Sequence, residues 1–199
     1  ELWSIEEVGL FSSQVHSQFQ QPFMLENKKY QLAVSIGISI YPDDAQTIEM
    51  FMRNDYVALF KAKSEGRNRT SFFSAELEQQ IIHRHQLELL LRETLTNNQL
   101  QVYYQPKLCL ETGQLLGAEA LARMQNHQGQ WVSPVEFIPL AEETGLITEL
   151  GQQVLRQACE ECLSWQQQGY QVPVSVNIAA AQFADPMLVK HITSLLKEL

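Results

Sequence analysis

The stretch "GQLLGAEALARMQN", residues 113–126, decides how the second half of the chain is interpreted. Its small and apolar residues are typical of a strand, in which side chains two and four positions apart lie on one face. Glu119 and Arg123 therefore point into the same space, a carboxylate beside a guanidinium. Two interpretations fit this pattern: an ion-paired, solvent-exposed strand face, or the start of a site that binds a metal ion and a phosphate.

Composition and charge restrict the classes of partner. The chain has 199 residues, of which 45% are hydrophobic and 19% are charged, the balance of a globular protein. Its formal net charge of −9 argues against a nucleic-acid polymer as partner, because that kind of binding relies on a basic surface. A small anionic ligand is compatible with this charge only where an Arg, a Lys or a metal ion offsets it locally.

Cysteine usage and hydropathy bear on the compartment. No apolar run reaches the roughly 20 residues that a membrane span needs, and no signal peptide opens the sequence. The three cysteines are few and odd in number, which suits a reducing compartment. Cys159 and Cys162 form a CxxC pair, but no further Cys or nearby His completes four zinc ligands, so we interpret them as core thiols. We expect a cytoplasmic protein, or the cytoplasmic portion of a membrane-anchored one with a sensor or membrane segment upstream.

The first half of the chain alternates helices with short strands. Ser4 and Glu7 have the spacing of a capping box, which predicts a helix over residues 4–19. A hairpin is expected next, with its turn near Asn27 and a β-branched second strand that ends at Tyr41.

A second helix is predicted from the stretch "TIEMFMRNDYVALFKAKSEG", with Gly66 just past its end. Asp55 falls inside the apolar stripe of this helix, so we expect it to have a hydrogen-bonded structural role. A short strand, "TSFFS", follows. The stripe itself is predicted to consist of Ile48, Phe51, Met52 and Leu59.

A charged helix is predicted from Ala75 to about Thr96, and we interpret it as a linker because the pattern changes after it. Two strands follow, "LQVYYQPKLCL" and "GQLLGAEALAR", which a tight turn at Thr112 and Gly113 makes antiparallel. The chain then alternates helices and strands, and this order predicts parallel strands covered by helices.

The next helix and strand of this half carry clear signals. Ser133 is expected to cap the helix in a box closed by Glu136, with Pro134 in its first position. In the later strand "VPVSVNIA", Asn177 alternates with the apolar residues and therefore faces away from them.

The second half resembles the EAL domain, the family of cyclic di-GMP phosphodiesterases. The resemblance rests on "YYQP", "GAEALAR", "SPVEFIPLAEETGLI" and "VPVSVNIAAAQF", which occur in the order and spacing of that family. The first half is similar to the C-terminal part of the GGDEF domain, the diguanylate cyclase family, through "VSIGISIYPDD" and "RNDYVALFKAKSEGRNR".

The resemblance implies an α/β chain from a tandem GGDEF–EAL protein. Residues 1–74 are expected to be the C-terminal part of a GGDEF-type α+β domain, and residues 75–96 a linker helix. Residues 97–199 are expected to form the N-terminal half of a (β/α)₈-type EAL barrel whose first strand is antiparallel.

The resemblance also assigns roles to individual residues. Glu119 and Asn177 match catalytic positions that bind two divalent ions, Mg²⁺ or Mn²⁺, while Arg123 and Gln105 match substrate-binding positions. The implied reaction is hydrolysis of cyclic di-GMP to linear pGpG. Other interpretations stay open at this point: Glu119 and Arg123 pair with each other, and Asn177 is a turn residue.

Three functions are compatible with these residues. The first is a phosphodiesterase that is active when the domain is complete, because Glu119 and Asn177 carry too little charge for two ions. The second is a catalytically inactive cyclic di-GMP receptor, since no Gly-Gly pair of the cyclase signature occurs in the sequence. The third is a dimerisation module, and a homodimer is the expected assembly.

Overall fold

The computed structural model describes residues 4–199, which fall into two compact units that meet in the chain between Arg84 and His85. In chain order the first unit contains α1 (Ile5–Phe19), β1 (Phe23–Leu25), β2 (Lys28–Tyr30), β3 (Ile36–Ile38), α2 (Ile48–Ser64), β4 (Thr70–Phe72) and the start of α3 (Ala75–Thr96). The helix predicted over residues 75–96 is therefore confirmed as an element, while its role as a linker stays a prediction.

Local signals place α1 and the first hairpin correctly. The backbone N–H of Glu7 donates to Ser4 Oγ over 3.2 Å, and the Ser4 N–H donates to Glu7 Oε2 over 2.7 Å, which confirms the capping box. Glu26 and Asn27 have φ values of 47° and 61°, so they form the tight turn between the antiparallel β1 and β2.

The segment predicted as the second strand of the hairpin is wrong. The strand opposite β1 is the lysine-rich β2, and the β-branched segment forms β3, which pairs in parallel with β4. This parallel pairing requires a crossover, and α2 supplies it.

The predicted buried face of α2 is wrong in part: Phe51 and Leu59 are half-buried, but the other two members of the predicted stripe are not. Ile48 and Met52 are 80% and 63% exposed, whereas Asn54 and Ala58 are buried. The small Ala58 faces the sheet because α2 packs against Gly37 of β3, and Asn54 is satisfied by donating to the carbonyl of Asp44 over 2.7 Å.

The structural role expected for Asp55 is confirmed. Its carboxylate accepts hydrogen bonds from the N–H of Ser39 over 3.0 Å and from the Ser39 hydroxyl over 2.6 Å. The side chain thereby joins the middle of α2 to the end of β3.

The second unit is an open sheet with helices on one face. Beyond the rest of α3 it contains β5 (Gln101–Leu108), β6 (Leu115–Gln125), β7 (Trp131–Val132), α4 (Pro134–Thr144), α5 (Ile147–Gln167), β8 (Val174–Val176), α6 (Ala180–Phe183) and α7 (Leu188–Glu198). Strand β6 is central: it pairs antiparallel with β5 and β7 and in parallel with β8. In residues 85–199 these four strands do not close a barrel.

Two details of this unit differ from the predictions. The strands β5 and β6 are antiparallel as predicted, but no two-residue turn joins them. A longer loop does so, and it is closed by a hydrogen bond of 2.8 Å from the N–H of Cys109 to the carbonyl of Gln114. Pro134 is in the first turn of α4 as expected, but the Ser133 side chain makes no cap bond, so the capping box predicted with Glu136 is wrong.

The core of the second unit lies between the helices and one face of the sheet. Its buried apolar residues are Leu87, Leu91, Leu95, Leu100, Ala120, Met124, Phe137, Leu140, Ala141, Ile147, Leu150, Val154 and Ala158. Because side chains alternate along a strand, the odd-numbered residues of β5 and β6 lie on the opposite, uncovered face. Within residues 4–199, no helix is both long enough and apolar enough to span a bilayer.

Candidate functional site

Glu119 lies in the middle of β6 on the uncovered face of the sheet. Its neighbours Ala118 and Ala120 are buried, at 5% and 3% exposure, so the pleat directs Glu119 to the other side. Gln105 of β5 lies directly opposite Glu119 in the antiparallel register and is exposed on the same face.

Asn177 follows β8 and contacts Glu119. The parallel register pairs Glu119 with Ser175 and Ala120 with Val176, which brings the residue after β8 beside the Glu119 side chain. The Asn177 Nδ2 donates to Glu119 Oε1 over 2.8 Å. The carboxylate and the amide that the sequence singled out from two distant segments therefore lie together, while their role as metal ligands stays a prediction.

Lys107, at the end of β5, is a member of this cluster that the sequence analysis missed. Its ammonium lies 3.2 Å from Glu119 Oε2 and donates to Ser175 Oγ over 2.7 Å. The Ser175 hydroxyl in turn donates to the carbonyl of Ala118 over 3.2 Å. Because side chains alternate along β5, Lys107 lies on the same face as Gln105, and this alternation is the sequence signal that could have identified it.

The cluster perturbs the acidity of Glu119. The hydrogen bond from Asn177 is the largest cause, followed by the hydrogen bond and the charge of Lys107, and together they lower the pKa of the carboxyl below its ordinary value. Since hydrogen bonds and an opposite charge favour the ionised form, Glu119 is a carboxylate at neutral pH.

Arg123 has partners other than Glu119. Its Nη1 donates to the carbonyl of Ala122 over 2.9 Å, and its guanidinium carbon lies 5.8 Å from the centre of the Tyr103 ring. The edge of Trp131 contacts the same ring, with the two ring centres 5.3 Å apart. No ion pair joins Arg123 to Glu119 in the described part of the chain, so the open alternative of a direct pair is wrong.

A cavity of about 210 Å³ connects two of the candidate residues. It lies between the end of β6 and helices α4 and α5, and Arg123, Asn177 and Glu142 all line it. This cavity places a guanidinium, an amide and a carboxylate around a common space.

Gln182 fixes the chain just after Asn177. The side chain is 4% exposed, and its Oε1 accepts the N–H of Ala179 over 2.9 Å at the start of α6. Gly151 of α5 makes room for it, because a Cβ at that position would overlap the Gln182 amide. The sequence carried no signal for this contact, which depends on the approach of α5 to α6.

The donor types at this site match a hard divalent ion. Carboxylate and amide oxygens are the ligands that Mg²⁺ and Mn²⁺ prefer. In residues 4–199, however, no group of three or more His, Cys, Asp or Glu side chains is arranged to hold a metal ion. Glu119 and Asn177 therefore fit the chemistry of such an ion but supply only part of a coordination shell.

Comparison with known families gives two consecutive matches. The family described as EAL domain matches residues 88–199, and the family described as diguanylate cyclase, GGDEF domain, matches residues 4–69. The chain belongs to the EAL domain family. The tandem order of the two families is thus confirmed, and so is the α/β fold with part of an EAL barrel.

Relatives of this EAL-domain chain are longer proteins. It is 35% identical over 193 residues to the bifunctional diguanylate cyclase/cyclic di-GMP phosphodiesterase MucR of Pseudomonas aeruginosa, which covers 96% of this chain and 28% of that protein. It is 31% identical over 188 residues to the cyclic di-GMP phosphodiesterase PdeR of Escherichia coli, a match that covers 94% of this chain and 28% of that protein. The chain thus spans 28% of the length of each of these curated relatives.

Solved EAL structures support the same assignment. The PaMucR phosphodiesterase in a c-di-GMP complex is 38% identical, with a TM-score of 0.54 over 57% of this chain and 46% of that chain. The Xanthomonas citri FimX EAL domain in complex with c-diGMP is 27% identical, with a TM-score of 0.53 over 61% and 47%. EAL domains use divalent metal ions.

Proposed function

We propose that the protein is a cyclic di-GMP phosphodiesterase of the tandem GGDEF–EAL type, which hydrolyses one phosphodiester bond of cyclic di-GMP to give linear pGpG. The observation that carries this proposal is the 2.8 Å contact between Asn177 Nδ2 and Glu119 Oε1. It brings the carboxylate of β6 and the amide of the residue after β8 together at the uncovered face of an EAL-type sheet.

Glu119 and Asn177 are the residues that hold divalent ions, Mg²⁺ or Mn²⁺, in this proposal. Glu119 is ionised at neutral pH and supplies the negative charge, while the Asn177 amide is brought beside it by the end of β8. When bound, two such ions neutralise the phosphate oxygens and lower the pKa of an attacking water.

Arg123 and Gln105 bind the substrate in this proposal. The planar guanidinium of Arg123 is suited to a phosphate because it presents several N–H donors in one plane. Gln105, exposed opposite Glu119, contacts the phosphate or the base next to it. Within residues 4–199 Arg123 is not ion-paired with Glu119, so its guanidinium is not neutralised by that carboxylate.

A catalytically inactive cyclic di-GMP receptor is the second candidate. The observation that favours it is that both oxygens of the Glu119 carboxylate have protein partners: Oε1 accepts from Asn177 and Oε2 pairs with Lys107. Because Lys107 offsets the negative charge of Glu119, an anionic ligand can approach this face without a metal ion between them.

Hydrolysis by the complete protein with Mg²⁺ distinguishes the two functions. Glu119→Ala is expected to lower the turnover of cyclic di-GMP by more than about 100-fold, since bound metal ions supply several kcal/mol of transition-state stabilisation. Glu111→Ala, an exposed carboxylate in the loop between β5 and β6, is the matched control and is expected to keep full turnover.

Binding measurements complete this test. Chromatography of the linear product reports turnover, and calorimetric titration of cyclic di-GMP with and without Mg²⁺ reports binding. Unchanged hydrolysis by the Glu119→Ala variant would contradict the assignment of Glu119. Tight binding that needs no metal, with no linear product from the unsubstituted protein, would favour the receptor.

We also propose that the protein acts as a homodimer on the cytoplasmic side of the cell. The small number of cysteines supports this location, because it suits a reducing compartment. Light scattering of the complete protein tests the assembly, and a monomeric mass at micromolar concentration would contradict it.

A further inference from the structure

The Lys107 ammonium occupies the position from which a cation would contact Glu119. Its Nζ lies 3.2 Å from Glu119 Oε2, while Asn177 engages the other carboxylate oxygen. The pair is in contact with solvent, with 48% of the Lys107 and 30% of the Glu119 side chain exposed. An incoming divalent ion therefore finds the carboxylate already paired with a positive charge.

Gly117 allows Lys107 to reach this position. The register places Lys107 of β5 opposite Gly117 of β6, and Glu119 is the next residue of β6 on the same face. Because Gly117 has no side chain, the lysine extends across β6 as far as Ser175 of β8, with a hydrogen bond of 2.7 Å. A side chain at Gly117 is disfavoured in any case, since its Cβ would lie 2.7 Å from the Pro173 carbonyl oxygen.

Ser175 provides a second hydrogen-bond acceptor for the Lys107 ammonium. Its hydroxyl is oriented by donating to the carbonyl of Ala118 over 3.2 Å, which leaves the oxygen lone pairs to accept from Lys107. Lys107 can therefore leave the Glu119 carboxylate and keep a hydrogen bond on the same sheet face.

We propose that Lys107 is a built-in competitor of the divalent ion at Glu119, which raises the ion concentration at which the site fills. This inference rests on the proposed role of Glu119 as a metal ligand. The competition is electrostatic: the lysine cation offsets the charge of Glu119, and it repels a second cation brought to the same oxygen.

Mn²⁺ binding to the complete protein tests this role without any substrate. Electron paramagnetic resonance of free Mn²⁺ is the readout. Lys107→Met removes the charge and keeps the apolar stem, so it is expected to tighten Mn²⁺ binding roughly three- to tenfold, the scale of a solvent-exposed ion pair acting on a doubly charged ion. Lys107→Arg keeps the positive charge and is expected to bind Mn²⁺ like the unsubstituted protein.

Lys190→Met is the matched control for net charge. Lys190 is an exposed lysine of α7 in the same unit, and its loss is expected to change Mn²⁺ affinity by less than about twofold because salt screens interactions between exposed charges that are not in contact. For the same reason the increase in Mn²⁺ affinity of the Lys107→Met variant is expected to become smaller as the salt concentration is raised. An increase caused only by a structural change would not depend on salt in this way. Circular dichroism confirms that each variant is folded.

Each outcome separates this inference from the proposed function. If Glu119→Gln abolishes Mn²⁺ binding and Lys107→Met leaves it unchanged or weakens it, the competitor role is overturned and the metal site stands. If Glu119→Gln does not alter Mn²⁺ binding, both proposals are overturned. Tighter binding by Lys107→Met that is lost at high salt supports the competitor role.

Discussion

Tyr104 joins strand β5 to helix α5 through both parts of its side chain. Its hydroxyl donates to the carbonyl of Gln157 over 3.1 Å, and its ring packs edge-on against Trp165 with ring centres 5.1 Å apart. Burial, reinforced by the charge of Glu161, raises the pKa of Tyr104 from 10.0 to about 12. A phenol in this position favours the folded state while it remains neutral.

The stability of the second unit is therefore expected to depend on pH at the alkaline end. The unfolded chain releases the Tyr104 proton near pH 10.0 and the folded chain near pH 12, so the stabilisation is complete below about pH 10 and is lost as the pH rises through about 12. Denaturant unfolding followed by tryptophan fluorescence at a series of pH values measures this loss.

Tyr104→Phe provides the comparison. Removing the hydroxyl is expected to cost about 0.5–1.5 kcal/mol of unfolding free energy at neutral pH, the net value of one hydrogen bond, and to flatten the dependence between pH 10 and 12. Tyr170→Phe, an exposed tyrosine of the same unit, is the control and is expected to leave the dependence unchanged. An equal slope in the Tyr104→Phe protein would show that another group is responsible.

At the scale of elements, the contact between β3 and α2 depends on Gly37. A Cβ at this position would overlap the backbone N–H of Leu59 and the backbone carbonyl of Asp55, neither of which can move without shifting the helix. Gly37→Ala is expected to destabilise the first unit by roughly 1–3 kcal/mol, the usual cost of overpacking a core. Thermal or denaturant unfolding followed by circular dichroism is the measurement.

Gly9 in α1 is the matched control for Gly37. Nothing lies within 4 Å of the position that its Cβ would take, so Gly9→Ala only improves the helix propensity. It is expected to stabilise the unit by about 0.5–1 kcal/mol. The two alanine variants are thus expected to differ in sign, and equal effects would contradict the close approach of α2 to β3.

The sequence was sufficient for elements whose signals are local. The capping box at Ser4 and the helix over Ala75–Thr96 were both predicted, because spacing along the chain determines them. The approach of α2 to Gly37 and the parallel pairing of β3 with β4 were not, because they depend on segments far apart in the chain. The buried residues Asn54, Ala58 and Ala62 do recur every four positions, but small and polar side chains at these positions gave no hydrophobic signal, whereas the apolar Ile48 is exposed.

The candidate site divides in the same way. Motif residues led to Glu119 and Asn177, and the register of β6 with β8 brings them together. Lys107 was missed because its contact needs a bare Gly117 on the neighbouring strand and Ser175 on the next, a coincidence of three strands. The sequence thus indicated the two candidate metal ligands, whereas the pairing of Lys107 with Glu119 could be recognised only in the three-dimensional structure.

At the scale of the whole molecule, the ligand count limits what the chain does by itself. Divalent ions such as Mg²⁺ need about six oxygen ligands each, and protein carboxylates supply most of the compensating charge. Within residues 4–199 Glu119 and Asn177 are the proposed ligands, no group of three or more His, Cys, Asp or Glu side chains is arranged to hold a metal ion, and Lys107 offsets the charge of Glu119. The 199-residue chain alone is therefore expected to form no linear pGpG, although the complete protein does so in the proposed function.

Parallel assays of the 199-residue chain and the complete protein, with Mg²⁺ and at equal molar concentration, check this expectation. Circular dichroism of the isolated chain establishes that it is folded, so that inactivity reflects missing ligands rather than unfolding. The Glu119→Ala variant of the complete protein sets the background rate. Turnover by the isolated chain above that background would mean that Glu119 and Asn177 suffice, because the remaining coordination positions can be filled by water and by the phosphate of the substrate.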